Sequence, residues 1–437
     1  MENSGTNNLK SRAIEICQEL IRIPSVNFGE GKGDEIAIAQ YVSDFLKKIG
    51  LEPEIIKTGE TRANVVAKLE GTEPNLPGLI VHGHIDVVPA NASDWQVDPF
   101  AAEIKDGAIW GRGAVDMKNM DAMILATLEH WSEINYKPRR NLLIVFFGDE
   151  EAGSEFGSRW LVANKPELFS GFSEAVSEVG GFSITLSNGK RVYLIEGAQK
   201  GINWVSLTAK GTAGHGSFIN RDNAITKLSA AVERIGNYKW PQIRTKTGDI
   251  FWPTIAELTG EKYDPTDVSP LLKHLGGAAK MLGATIANSA NPTQLSAGYK
   301  ANVIPQTATA VVDGRFLPGH EEELIQTIKQ LAGSEIEVKI LVRDRALEVD
   351  FSGPLVTAMT VAIQKHDPEA IVIPYLMSGG TDNKALADLG IVGYGFSPLK
   401  LPADLDFFAL FHGVDERVPL SAIEFGVEVL NDFLQSI

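Results

Sequence analysis

Six consecutive apolar residues, Leu142 to Phe147, run into Gly148 and then three carboxylates, Asp149, Glu150 and Glu151. A strand that is apolar on both faces belongs inside a sheet covered on both sides, the mark of an α/β architecture. Three acids at the mouth of such a strand are costly unless solvent or a cation compensates them. In α/β sheets, the crevice beyond the strand ends is also where ligands bind.

The flanking sequence supports this reading. Ala13, Ile14, Cys17, Leu20 and Ile21 fall at helical spacing before Pro24, and residues 34–49 form an amphipathic helix ending at Gly50. Strands are expected at 51–56, 64–69 and 78–82, and a helix over 119–134. After about residue 199 the pattern changes: residues 202–210 and 307–316 alternate like half-exposed strands, 223–235 and 319–333 read as helices, and 335–342 as a further strand. That β-α-β-β-α-β-like order predicts a smaller α+β, ferredoxin-like domain inserted in the first. Within it, residues 238–296 are rich in Pro, Gly, Trp and Thr and read as irregular. From about 354, helix–strand alternation resumes and ends with a helix over 422–434, so the chain is expected to return to the first domain.

Composition narrows the functional classes. The 437 residues carry 40 Lys+Arg against 56 Asp+Glu, a net charge of −16. A chain this acidic lacks the basic surface that nucleic acid or anionic lipid requires. The run 142–147 is far shorter than the roughly 20 apolar residues of a membrane span. The opening MENSGTNNLKSR lacks the apolar core of a signal peptide, so a cytoplasmic location is expected. Cys17, the single cysteine, permits no internal disulfide and reads as a buried structural thiol.

The chemistry-bearing residues cluster beyond apolar runs. In Leu79-Ile-Val-His82-Gly-His84-Ile-Asp86 either histidine could be a metal ligand, and an acid two residues on suits the fixing of an imidazole tautomer. Asp116 follows Gly111-Arg-Gly-Ala-Val, before a helix, where a helix cap is the plainer role. Glu178 follows another apolar run, and His412 begins His-Gly-Val-Asp-Glu416. Together they form a mixed N/O donor set suited to Zn²⁺ or a similar ion, and the number of acids suggests two metals sharing a carboxylate.

Gly83-His84-Ile-Asp86-Val-Val-Pro89, Trp110-Gly-Arg-Gly-Ala-Val-Asp116-Met-Lys118, Asp149-Glu-Glu-Ala-Gly153 and His412-Gly-Val-Asp-Glu416 resemble, in order and rough spacing, the motifs of the M20 metallopeptidases. Trp95-Gln-Val-Asp-Pro-Phe100 and Asp106-Gly-Ala-Ile-Trp110 look most like the carboxypeptidase S and N-acyl-amino-acid hydrolase branch. The resemblance implies a zinc-exopeptidase-like catalytic domain, with helices on both faces of a mixed sheet, built from residues 1–199 and 347–437. Residues 200–346 would form an inserted lid and dimerisation domain.

It further implies two Zn²⁺ per chain, with Co²⁺ or Mn²⁺ as substitutes: His84 and Glu178 on one, Glu151 and His412 on the other, Asp116 bridging. Asp86 would orient His84. Glu150 would be the general base, taking the proton of a metal-activated water that attacks an amide carbonyl. Gly211-Thr-Ala-Gly-His215-Gly-Ser217 is similar to the family's lid histidine loop, which in dimeric members reaches the partner's site. Asn302, Arg315, and Gly379 and Gly380 of Ser378-Gly-Gly-Thr-Asp382 match segments that bind a substrate carboxylate. The implied substrate is small: an N-acyl amino acid or a short peptide, with an N-carbamoyl or xenobiotic amide as the alternative. Where members often have Glu-Gly-Gly, this chain has Glu178-Val-Gly-Gly.

Overall fold

The structure, a computed structural model, describes residues 4–437. Leu142–Phe147 is an interior strand of a ten-stranded mixed sheet. Its alternation divides the apolar run between two cores. Leu142, Ile144 and Phe146 enter the larger one, and Leu143, Val145 and Phe147 the smaller one on the opposite face. Helices Ser4–Ile21, Lys118–Glu133, Pro354–His366 and Leu420–Ser436 cover the larger core. Ser158–Asn164 and Asn383–Leu386 cover the smaller. Cys17 is buried in the larger core.

Strand order runs Glu54–Lys57, Ala63–Leu69, Leu142–Phe147, Gly78–His84, Phe172–Ser177, Val392–Gly395, Arg191–Gln199 and Leu347–Glu348. Ile371–Met377 and Phe182–Thr185 also pair with Arg191–Gln199. Leu142–Phe147 lies parallel to Gly78–His84, with Phe147 opposite His84, so the His84 and Asp149–Glu151 motifs emerge side by side. Phe172–Ser177 is parallel to Gly78–His84 on its other edge and delivers Glu178 to the same end.

A second, four-stranded antiparallel sheet has the order Ser289–Ala297, Thr307–Phe316, Gly201–Lys210, Ile336–Asp344. Helices Ala224–Gly236 and Glu321–Ala332 cover one face, burying Val205, Leu207 and Ala209, which alternate along their strand. The chain enters this unit just after Gln199 and leaves it just before Leu347, and these two residues pair with one another.

The segment 238–296 is more ordered than its composition suggests. It holds helix Gly248–Thr259 and the edge strand Ser289–Ala297. Two prolines mask these elements in the sequence. Pro253 lies inside the helix, and Pro292 sits at a register shift of the edge strand, where a missing N–H is tolerated. Phe251, Trp252, Ile255, Leu271 and Leu282 bury in the larger core, so this part of the insertion packs on the ten-stranded unit. Among the described residues, no helix is long and apolar enough to cross a membrane.

Candidate active site

Where the parallel strands end, the acids and imidazoles converge. His84 Nε2 lies 3.0 Å from Asp116 Oδ1 and 3.4 Å from Glu178 Oε2. His412 Nε2 lies 3.2 Å from Asp116 Oδ2 and 2.9 Å from Glu151 Oε2. The two oxygens of Asp116 therefore face different triads, His84–Asp116–Glu178 and Asp116–Glu151–His412, each with ligand atoms within 4.8 Å of one another. Glu150 lines the same cavity but belongs to neither triad. The two candidate histidines separate cleanly. His82 stays within the strand, with Nε2 2.9 Å from Asn383 Oδ1 and its ring edge-on to Phe147.

Burial sets the electrostatics. It pushes Glu178 up to about 7 against the pull of His84. It also raises Glu150 well above the ordinary carboxylate range, with Glu178 reinforcing the shift. Glu151 is raised by burial and by Asp116. His412, hydrogen-bonded to Asp116 and Glu151, is raised to about 10. Burial is the largest cause of the three glutamate shifts, and neighbouring carboxylates add to each. Glu151 Oε1 is buried without a hydrogen-bond partner. Two N/O triads sharing one carboxylate, with an orphaned oxygen among them, fit a pair of divalent cations.

The loops that carry these groups are held from behind. The Asp86 carboxylate accepts from the backbone N–H of Glu150 at 3.1 Å and of Glu151 at 3.2 Å. His84 Nδ1 lies 3.0 Å from the Asp86 carbonyl oxygen and 3.7 Å from its Oδ1, so the main chain is the nearer partner of the imidazole. Asn27 Nδ2 donates to both Asp86 and Asp149, and Arg62 ties Asp149 to Glu35. Arg112 pairs with Glu416 at 2.6 Å, and Glu416 accepts from the N–H groups of Gly113, Val115 and Asp116, which joins the second motif to the last. Asp382 accepts from Ser154 and Ser158, linking the glycine-rich loop to the Glu150 loop.

Non-glycine residues with positive φ recur in these loops, among them Asp149 at 65°, Val179 at 54° and His412 at 57°. For a β-branched residue such as Val179 that conformation is a real outlier, and such outliers concentrate at functional sites. Gly180 follows it because a Cβ there would lie 1.9 Å from the Gly395 carbonyl oxygen.

Sequence reasoning singled out neither Asn27, Glu35 and Arg62 nor Asp382. The available signal was the polar Arg62-Ala-Asn64 run just ahead of the apolar Val65–Ala67 stretch of a strand. Gly379 and Gly380 line the cavity, whereas His215, Asn302 and Arg315 do not. His215 is exposed on a short ribbon pairing Gly214–His215 with Val303–Ile304, where the Gly216 N–H donates to the Asn302 carbonyl. Arg315 is engaged by Asp313 at 2.7 Å.

Known proteins are similar to this chain along nearly its whole length. N-fatty-acyl-amino acid synthase/hydrolase PM20D1 of Mus musculus is 28% identical, the match covering 100% of this chain and 91% of the relative. Human aminoacylase-1 is 24% identical over 97% of this chain and 95% of its own. The crystal structure of the M20 family metallo-carboxypeptidase Sso-CP2 from Sulfolobus solfataricus superimposes with a TM-score of 0.72 at 19% identity, covering 97% of this chain and 98% of that one. Residues 80–436 match the family model described as peptidase family M20/M25/M40, and the chain belongs to that family.

Proposed function

We propose that this enzyme of the M20 hydrolase family cleaves the amide bond of N-acyl amino acids or releases the C-terminal residue of short peptides. The observation that carries the reading is Asp116, whose two oxygens face two separate N/O triads, with Glu150 left free beside both. His84, Asp116 and Glu178 would hold one divalent ion, and Asp116, Glu151 and His412 the other. Zinc suits that donor set, with Co²⁺ or Mn²⁺ as substitutes. When bound, such a pair supplies Lewis acidity, polarising the amide carbonyl and acidifying a nearby water.

Glu150 takes the proton of the attacking water as the C–O bond forms, and returns it to the nitrogen as the C–N bond breaks. Asp86 fixes the loop through the Glu150 and Glu151 N–H groups. Gly379 and Gly380 let the backbone approach the substrate's free carboxylate. His215, Asn302 and Arg315 would join the site from the lid of a second copy in a homodimer, since in their own chain they lie off the cavity. In this scheme residues 1–199 and 347–437 are the catalytic body and 200–346 the inserted lid, part of which packs on that body. The relatives named for N-fatty-acyl-amino acids and for aminoacylase-1 support an acyl amino acid as substrate.

The test is elemental analysis of the purified chain together with N-acetyl, N-carbamoyl and dipeptide substrates, before and after chelation. Two divalent ions per chain, and amino-acid release lost on chelation and restored by Zn²⁺, Co²⁺ or Mn²⁺, are expected. Hydrolysis that survives complete metal removal would overturn the reading, and preference for the carbamoyl substrate would change the substrate class.

A further inference from the structure

The inserted unit joins the catalytic body through two short connections, one from Gln199 to Gly201 and the other from Asp344 to Leu347. Both connections touch the glycine-rich loop. The Gln199 side chain accepts from the Thr381 N–H at 3.0 Å and donates to the Thr381 hydroxyl at 2.8 Å. The Lys200 N–H donates to the Met377 carbonyl, where the loop begins. The Lys200 carbonyl accepts from Lys384 Nζ at 2.8 Å, just past the loop's end. Lys384 lies directly beneath the loop: a Cβ on Gly380 would come 2.8 Å from its Nζ.

Asp344 closes the lid strand Ile336–Asp344, and its two carboxylate oxygens serve different partners. Oδ2 accepts from Lys384 Nζ at 2.9 Å, and Oδ1 accepts from Arg159 Nη2 at 2.7 Å. Arg159 donates in turn, through Nε, to the Gly153 carbonyl at 3.0 Å, at the end of the turn that carries Glu150 and Glu151. One lid carboxylate is thereby tied to the glycine-rich loop on one side and to the Glu150 turn on the other. Burial works to raise this carboxyl, but Lys384 and Arg159 outweigh it and hold it below the usual carboxylate range. The two arms differ in strength. The Lys384 side chain is 3% exposed and that of Arg159 40%, so water screens the Arg159 arm far more than the Lys384 arm.

We infer that Asp344 is a positioning residue of the reaction: from the lid it fixes the glycine-rich loop through Lys384 and the Glu150 turn through Arg159. This rests on the reading of the chain as an amidohydrolase whose Gly379 and Gly380 backbone receives the substrate's free carboxylate. Neither Lys384 nor Arg159 lines the cavity, so each acts through the segment that it holds. Without Lys384 the loop loses the side chain beneath Gly380, and the Lys200 carbonyl loses a donor. Without Arg159 the Gly153 end of the turn loses its tie, and Glu150 is aimed less firmly. Shifts on the order of 1 Å in such segments are enough to change binding or turnover. Positioning and simple attraction also differ in sign. Removing the Asp344 charge leaves Lys384 uncompensated under the loop, which by attraction alone would tighten the hold on an anion above it, whereas loss of positioning weakens that hold.

The experiment uses the full-length metal-loaded enzyme and an N-acetyl amino acid that it hydrolyses. It measures kcat and KM separately in Lys384→Met, Arg159→Met and Asp344→Asn, with metal content and folded fraction determined for each. The expected result is a KM raised about tenfold in Lys384→Met with kcat within roughly twofold, and a kcat lowered about threefold in Arg159→Met with KM nearly unchanged. Asp344→Asn should show both changes at unaltered metal content. With Asp344→Asn already in place, Arg159→Met should cost little further kcat, because that arm is already cut. A KM that falls in Asp344→Asn overturns the inference, and so does a loss that follows the folded fraction alone with no split between kcat and KM. Should Asp344→Asn fail to fold, the split between the Lys384 and Arg159 variants decides by itself. In each of these outcomes the unaltered enzyme still hydrolyses its substrate and the amidohydrolase reading stands. Absence of metal-dependent hydrolysis by the unaltered enzyme overturns that reading, and the inference with it.

Discussion

Two groups of buried acids meet at the Asp149–Glu151 turn, and they are neutralised in different ways. Asp149 and Glu35 share Arg62, a guanidinium only 2% exposed that lies 2.6 Å from Glu35 Oε1 and 2.7 Å from Asp149 Oδ1. Asn27 and the Phe156 N–H complete the coordination of Asp149. One or two residues along, Glu150 and Glu151 join Asp116 and Glu178, and among the described residues no Lys or Arg forms an ion pair with any of them. Imidazoles are their only basic partners. An acid group with an arginine among its partners holds a loop in place, although burial still pushes Glu35 up to about 8 against the pull of Arg62. One that offers only imidazole nitrogens and carboxylate oxygens has the donor set of a divalent cation.

This contrast can be tested from both sides. The largest effect is expected at Glu150. Glu150→Gln keeps the shape and both triads, so metal content should hold while kcat drops about 10²- to 10⁴-fold. A drop in bound metal would move Glu150 into the ligand set and break the distinction. Mixed with His215→Ala under conditions of subunit exchange, the same variant should recover part of its activity if the lid histidine acts across a dimer. No recovery despite proven exchange would refute action in trans.

On the arginine side, Arg62→Met leaves Glu35 and Asp149 buried without their cation. It should destabilise the chain by about 3–5 kcal/mol in denaturant unfolding. In the fraction that remains folded, kcat should fall with KM nearly unchanged, because the turn that aims Glu150 is loosened while the glycine-rich loop is not. A stability loss with an unaltered kcat would make the Arg62 group purely structural.

Lys200 sharpens the comparison as a buried charge with carbonyls for close partners. Burial lowers it from 10.5 to about 7, with Arg315 pushing the same way and Asp313 opposing. Its folded-state pKa is thus depressed, so between about pH 7 and 10.5 the unfolded chain binds a proton that the folded chain does not. Stability should rise with pH across that window, by at most about 1.4 kcal/mol per pH unit from this group, and be lost as pH falls toward 7. Lys200→Met should flatten that part of the slope in unfolding measured from pH 7 to 9.5. An identical slope would show that Lys200 keeps its proton when folded.

Much of this was legible in the sequence because the converging residues sit in short polar motifs beyond apolar strands. His84, Asp116, Glu150, Glu151, Glu178 and His412 could be read as strand-end or loop groups before any fold was known, and the helix–strand alternation on both sides of the insertion was periodic enough to trace. The supports were not legible. Asn27, Arg62 and Asp149 meet only through tertiary packing, Arg62 just before a strand that pairs antiparallel with Leu142–Phe147, and nothing local marks Asn27 as a shared donor. Whether His82 or His84 enters the cluster depends on where the strand ends, which spacing alone does not reveal. Pro253 and Pro292 hid a helix and a strand by breaking the local rules that those elements usually obey.

The order of strands in the ten-stranded sheet also constrains how the chain can be made. Val392–Gly395 lies between Phe172–Ser177 and Arg191–Gln199, so a gap in the sheet waits for a strand synthesised some two hundred residues later. Until then a nascent chain presents two unpaired strand edges, a template for wrong pairing. The four-stranded unit has all its strands between Gly201 and Asp344 and can close first. A folded insert would hold its two ends together, with Gln199 beside Leu347. It would thereby shorten the loop that the late C-terminal strands must close, easing the entropic cost of their return.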